Sequence, residues 1–225
     1  MLDTETTGLK PKDGHRIIEI GAVVVMNREV TNSHYHQFIN PQFAVEAEAL
    51  AVHGLSNEFL ADKPLFSRVV DEFIAFVEGS ELVIHNAPFD VGFINHELNL
   101  CGKSFEIQDI CKITDSLDFA KTKHPGAKNN LDALCKRYGI SNEHRTLHGA
   151  LLDSEILAQV YLAMTGGQTK LNLDNNQNQT SHSQTFDLSN LPELVKVNAS
   201  SEEMDQHRAW LEKYSSDDEP FLWNQ

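Results

Sequence analysis

Asp3-Thr4-Glu5-Thr6-Thr7-Gly8 sets two carboxylates one residue apart, directly after a short apolar start, Met1-Leu2. On an extended strand, residues i and i+2 point to the same face. Asp3 and Glu5 therefore project side by side. Adjacent carboxylates repel unless a proton or a cation lies between them. The Thr and Gly residues around them leave room for a ligand to approach the backbone. Oxygen donors so disposed make half of a site for a hard cation such as Mg²⁺ or Mn²⁺. The competing reading is a solvated strand end running into a turn, so the other half has to be sought elsewhere in the chain.

The segments that follow alternate between strand and helix patterns. Residues 16–25 (RIIEIGAVVV) are β-branched and apolar, a buried strand, and residues 33–39 (SHYHQFI) alternate as its hairpin partner. Residues 66–77 (FSRVVDEFIAFV) carry apolar side chains at helical spacing. A short buried strand is expected at 81–85 and helices at 89–100, 130–138 and 150–164. Strands mixed with helices on this scale imply an α/β sheet with helices on its faces. The domain so defined spans residues 1–165.

Composition limits what the domain does. The net charge of −15 argues against a protein that holds nucleic acid by charge alone, yet allows one that reaches phosphates through bound cations. No run of 18 apolar residues marks a membrane span, and no basic region followed by an apolar stretch marks a leader. Three cysteines, Cys101, Cys111 and Cys135, lack metal-ligand spacing and read as reduced thiols of a cytoplasmic protein.

Two further segments carry candidate chemistry. In His85-Asn86-Ala87-Pro88-Phe89-Asp90 a buried strand ends in polar residues, and Asp90 falls at the start of a helix, where a carboxylate is also common as a cap. In His148-Gly149-Ala150-Leu151-Leu152-Asp153 the two ends are five positions apart. On one continuous helix that is about 500° of rotation, leaving the side chains about 140° apart. They converge only if His148 precedes the helix and Asp153 lies in its first turns, a break that Gly149 permits. Alone, His148 reads equally as a surface histidine.

The order D-x-E, then H-N-x-x-F-D before a helix, then H-x-x-x-x-D entering the last helix of the domain resembles the DEDDh family of 3′→5′ exonucleases. Within it, residues 17–22 (IIEIGA), 52–55 (VHGL), 114–117 (TDSL), 130–135 (NLDALC) and 162–169 (LAMTGGQT) are similar to the epsilon branch, the proofreading subunits of bacterial DNA polymerase III. The resemblance covers residues 2–173 and implies a ribonuclease H-like mixed sheet flanked by helices. It implies that Asp3, Glu5, Asp90 and Asp153 hold two divalent cations, Mg²⁺ or Mn²⁺, and that His148 is the general base. By the same resemblance Thr4, Thr6, Gly8, His53, Asn86 and Phe89, with Asp3, Glu5 and Asp153, contact the terminal nucleotides of a single-stranded 3′ end of DNA. Phe89 also reads as a packing aromatic. Lys121, Lys123, Lys136 and Arg137 read as solvated faces, with phosphate contacts as the alternative, Asp115, Asp118 and Asp132 as caps or structural carboxylates, and His34 and His36 as surface residues.

Beyond residue 165 the character changes. Residues 166–173 contain Gln168, Leu171 and Leu173, a Q-x-x-L-x-L pattern similar to the peptide that docks on the bacterial sliding clamp (the beta subunit). Residues 174–190 are rich in Asn, Gln, Ser and Thr, the composition of a flexible linker. Residues 191–225 recover apolar side chains, including both tryptophans, Trp210 and Trp223, and read as a tail that orders on a partner. The resemblance implies that this partner is the polymerase (alpha) subunit, and it adds a small third core subunit (theta). In the family the first strand runs several residues upstream of D-x-E, so the first strand is expected to be abridged here or to lack residues. Two alternatives stand beside proofreading. One is a catalytically weakened structural subunit bridging polymerase and clamp. The other is a DEDDh nuclease acting on RNA or in repair.

Overall fold

The computed structural model describes residues 1–142, 147–166 and 199–214. The chain divides into two units, Met1–Leu171 and Asn172–Gln225. In the first, β1 (Leu2–Thr6), β2 (Ile17–Met26) and β3 (Glu29–Phe38) form an antiparallel sheet in that order, and β4 (Glu81–Ile84) and β5 (Lys112–Asp115) pair in parallel. The helices are α1 (Ala47–His53), α2 (Asn57–Leu60), α3 (Phe66–Val77), α4 (Ala87–Leu100), α5 (Ile107–Ile110), α6 (Ser116–Lys123), α7 (Leu131–Tyr138) and α8 (Ala150–Thr165).

The β2–β3 hairpin turns on Asn27 and Arg28, both at positive φ (51° and 67°). Two such residues give the turn whose twist matches that of the flanking strands. Arginine is an unusual occupant, and its contacts account for it. Its guanidinium donates to Leu162 O (2.7 Å) and to Thr165 Oγ1 (3.2 Å), closing the last turn of α8.

The main core gathers Leu2, Ile17, Ile20, Phe66, Phe73, Ile84, Phe93 and Leu98 between the strands, α3 and α4. A second cluster joins α7 to α8 through Leu134, Cys135, Ile156 and Val160. One buried ion pair locks α4 to the start of β2. Arg16 donates from Nε and a terminal nitrogen to both oxygens of Glu97 (2.7 and 2.6 Å), and Glu97 is 1% exposed. Cys101, Cys111 and Cys135 are free thiols.

The first strand is paired along its length. Leu2 faces Ala22, Asp3 faces Gly21 and Glu5 faces Glu19. Ahead of it the Met1 amine donates to Val23 O (2.8 Å), and Val23 N donates to Met1 O (2.9 Å). This amine is buried, which lowers its pKa from 8.0 to about 6. Beside it a cavity of ≈ 360 Å³ lies between the far end of β2 and β4.

In the second unit, α9 (Ser201–Tyr214) presents an acidic surface in which Met204 and Trp210 are about half exposed. The proposed clamp peptide and linker lie outside the described residues.

Candidate active site

Alternation along β1 turns Leu2 and Thr4 to one side and Asp3 and Glu5 to the other, and a register shift between Glu5 and Thr6 ends it. Glu5 is buried and Asp3 half-buried. Thr4 reaches the second motif: its Oγ1 donates to Asp90 Oδ1 at 2.7 Å. Asp90 sits in the first turn of α4, which starts abruptly. Asn86 caps it in the left-handed conformation (φ 72°, ψ 50°), and a proline follows in the first turn. Asp90 is 3% exposed, and burial pushes its carboxyl up to about 7, against the Thr4 hydrogen bond and with a small addition from Asp115. A carboxyl so placed takes up either a proton or a cation near neutral pH.

The third motif breaks where Gly149 allows. Gly149 is extended (φ −151°), α8 begins at Ala150, and Asp153 N donates to Gly149 O (2.9 Å). His148 therefore stands ahead of the helix, and its Nδ1 lies 3.2 Å from Asp153 Oδ2. The first turn of α8 is pressed onto β2 at Gly21. A Cβ there would lie 2.1 Å from Leu151 N and 2.2 Å from Ala150 C, so only glycine admits this approach. Ser154 Oγ fastens it by donating to Gly21 O at 2.8 Å. Because Gly21 pairs with Asp3, the helix start is delivered directly over the D-x-E strand. One donor atom each from Glu5, His148 and Asp153 lies within 4.8 Å of the others. Asp3 and Asp90 fall outside that cluster, so the structure brings three of the five motif residues into one knot and holds Asp90 to the strand through Thr4.

Next to the knot is a cavity of ≈ 290 Å³, close to the lower end of the range for small-molecule sites (about 300 Å³). Thr4, Glu5, Thr6, Gly8, His53 and Phe89 all line it. Leu55 N donates to His53 Nδ1 (2.9 Å), so the neutral ring carries its proton on Nε2, which is buried with no hydrogen bond of ordinary geometry among the described residues, the Thr6 backbone being an acceptor toward the ring. Burial also lowers the pKa of this imidazole. Phe89 lines the cavity and packs on Phe93 with ring centroids 5.0 Å apart. Asn86 does not line this cavity. It borders a separate depression on the far side of the α4 start.

Several neighbours escaped sequence reasoning. Glu46 and Glu48 line the cavity with Ala49 and Val52. The i, i+4 spacings of Glu48 with Val52 and of Ala49 with His53 were the available signal, since they put these residues on the helix face that carries His53. Val52 O accepts from His148 N (3.1 Å), tying the cavity wall to the histidine. Glu19, paired with Glu5 across the strands, is 3% exposed and lies 2.7 Å from His36 Nε2. His36 was expected to be a plain surface residue. It is exposed, but it bridges to this buried carboxylate. Asp115 is a cap as expected, accepting from Leu117 N and also from Asn86 N.

A family model described as exonuclease matches residues 1–161. The DNA polymerase III subunit epsilon of Salmonella typhimurium is 54% identical over 176 residues, 76% of this chain and 72% of that protein. The subunit of the same name from Rickettsia felis is 42% identical over 215 residues, 94% of each chain. Among solved structures, exonuclease X in complex with 5′ overhanging duplex DNA superposes with a TM-score of 0.58 at 24% identity, over 73% of this chain and 89% of that one. Escherichia coli exonuclease I in complex with an oligonucleotide gives 0.62 at 14% identity, over 75% and 40%. These structures share the α/β fold of this chain.

Proposed function

The chain belongs to the exonuclease family, on the branch of the DNA polymerase III epsilon subunits, and is a 3′→5′ proofreading exonuclease; from that premise we propose how its residues divide the work. Enzymes of this family use divalent metal ions. Here Asp3, Glu5, Asp90 and Asp153 would hold two of them, Mg²⁺ or Mn²⁺. The donor set fits: all four are hard oxygen ligands, and Asp90 is a buried carboxyl that gains from a cation beside it. When bound, the ions offset charge on the phosphate oxygens and lower the pKa of a water molecule.

The chain's own residues do the rest. The terminal nucleoside enters the cavity lined by Thr4, Thr6, Gly8, His53 and Phe89, where the His53 Nε2–H offers a hydrogen bond to a sugar or base oxygen. Asp153 holds the His148 ring through Nδ1, which leaves Nε2 to take the proton from the attacking water. The water oxygen bonds to phosphorus as the P–O3′ bond breaks, the 3′-oxygen of the shortened strand takes up a proton to become a hydroxyl, and a nucleoside 5′-monophosphate leaves. The observation that carries this reading is the Glu5–His148–Asp153 knot opening onto a cavity of nucleotide size.

The partners follow from the rest of the chain. Family membership puts the protein in the polymerase III core. Within it, Gln168, Leu171 and Leu173 dock on the sliding clamp, and the tail that contains α9 holds the polymerase (alpha) subunit, with Met204 and Trp210 as exposed apolar contacts. Tethering on both sides keeps the nuclease at high effective concentration near the primer end.

The test is Mg²⁺-dependent release of nucleotide from a primer with a mismatched 3′ end. Asp3→Ala, Asp90→Ala and Asp153→Ala each abolish it. Full activity in any of the three would overturn the ligand assignment.

A further inference from the structure

The depression bordered by Asn86 lies outside the terminal-nucleotide cavity. It is ≈ 480 Å³ in volume and is lined by His85, Asn86, Leu117, Lys121, Asn129 and Asn130. It begins one helical turn, about 5.4 Å, from Asp90 along α4. Phe89 lines the other cavity and Asn86 this one, so the α4 start, with Asp90 in its first turn, separates the two.

A basic segment borders this depression, although Asp115 accepts from Asn86 N and Asp118 pairs with Lys121 at its edge. Residues 121–137 hold Lys121, Lys123, Lys128, Lys136 and Arg137 against a single acid, Asp132, in a protein of net charge −15. Lys121, Lys123, Lys128 and Lys136 are exposed. Lys123 and Arg137 both act on His124 by lowering its pKa, behind desolvation as the larger cause, which marks positive potential over this loop.

The loop is also braced. Asn129 Nδ2 donates to the carbonyls of His124 and Ala127, and Arg137 donates to Asn129 Oδ1 and to Lys128 O. Among the described residues, Lys121 pairs with Asp118 (3.1 Å), an exposed contact of little strength in water. Asn86 holds a left-handed backbone without a glycine, and its exposed side chain makes no capping bond. Such strain is retained where the surroundings or a ligand require it.

We propose that this depression and the basic segment 121–137 hold the nucleotides immediately 5′ of the scissile bond, through their phosphates. The proposal rests on the exonuclease reading above. A strand crossing the α4 start has its last nucleoside in the first cavity, a phosphodiester over Asp90, and its preceding phosphates along Lys121 and Lys128. An acidic enzyme then gains its grip on DNA from one short track, and that grip depends on salt.

The test compares two substrates on the full chain. One is the p-nitrophenyl ester of thymidine 5′-monophosphate, which has nothing 5′ of the reacting phosphate. The other is a single-stranded oligonucleotide of about 12 residues, whose direct binding is also followed by fluorescence anisotropy. In the double variant Lys121→Glu/Lys128→Glu, KM and Kd for the oligonucleotide rise at least about fivefold. The logarithmic salt slope of binding falls by about 0.7 for each phosphate that is no longer neutralised, and ester hydrolysis stays at the parent rate. Lys112→Glu, at the opposite end of β5, changes neither. An oligonucleotide Kd and salt slope equal to the parent's would overturn the proposal. Failure of the parent protein to hydrolyse the ester with Mg²⁺ or Mn²⁺ would instead count against the exonuclease reading, while the binding arm still decides the path of the strand.

Discussion

Replacing Gly21 with alanine adds one methyl group where α8 meets β2, and its cost follows from the geometry. The backbone there is not in the left-handed region, so alanine meets no conformational penalty. It meets atoms. The new Cβ would stand 2.1, 2.2 and 2.4 Å from Leu151 N, Ala150 C and Leu151 Cα. All three are backbone atoms of a helix start and cannot rotate away. Relief requires the helix start to lift by about 1 Å to reach a tolerable contact. His148 and Asp153 travel with it, away from Glu5. Displacement on that scale costs about 10²-fold in turnover, and overpacking costs about 1–3 kcal/mol in stability. The assay pairs kcat for nucleotide release with urea unfolding. Gly92 provides the control: it lies in the interior of α4 with nothing within 4 Å of an added Cβ. Gly92→Ala is therefore expected to keep full activity and to gain about 0.5–1 kcal/mol from helix propensity. A Gly21→Ala protein with parental kcat and parental stability would refute the claim that this contact sets the site.

Other expectations are independent of that contact. Glu97→Ala strands the Arg16 guanidinium beside a buried hole and costs about 3–5 kcal/mol, read as a lower urea midpoint. His53→Ala removes a cavity wall and its buried donor, so KM for the 3′ end rises several-fold while kcat changes less; the opposite split would exclude it from substrate binding. The Met1 amine makes stability depend on pH. Its folded pKa, about 6, lies below its unfolded value of 8.0, so between them the unfolded chain binds more protons. The penalty is full below pH 6, about 3 kcal/mol at 1.36 kcal/mol per unit, and fades as pH rises through 8. Unfolding the chain at pH 6 and pH 8, with its amino group free or acetylated, checks this: only the free amine shows the rise.

What could be read from the sequence was what local pattern encodes. The β-branched run at 16–25 became β2, and the helical spacing at 66–77 became α3 with the same ends. The break at Gly149 was legible because two side chains five apart could not otherwise meet. The short elements were not. Helix α1 has seven residues and no side-chain cap, and β5 has four residues whose strand character comes from pairing with β4. The Arg16–Glu97 pair and the Glu19–His36 contact join residues 81 and 17 positions apart, and nothing local marks either. Within the site the residue types were evident, but their grouping was not. Glu5, His148 and Asp153 form a knot while Asp90 is hydrogen-bonded to Thr4, a grouping that no local pattern marks.

The carboxylates ride on a strand and two helices, whereas His148 rides on the short connection ahead of α8. Damage to the frame and damage to the connection are therefore different lesions. A chain with a broken frame loses its hold on the primer terminus and leaves it bare for any intact copy. With His148 as the proposed general base, a chain altered only there is expected to stay folded and occupy the terminus without cutting it. Mixed with intact protein, the first acts as a diluent and the second as a competitor, so the slowing of an equimolar mixture reports which part has failed.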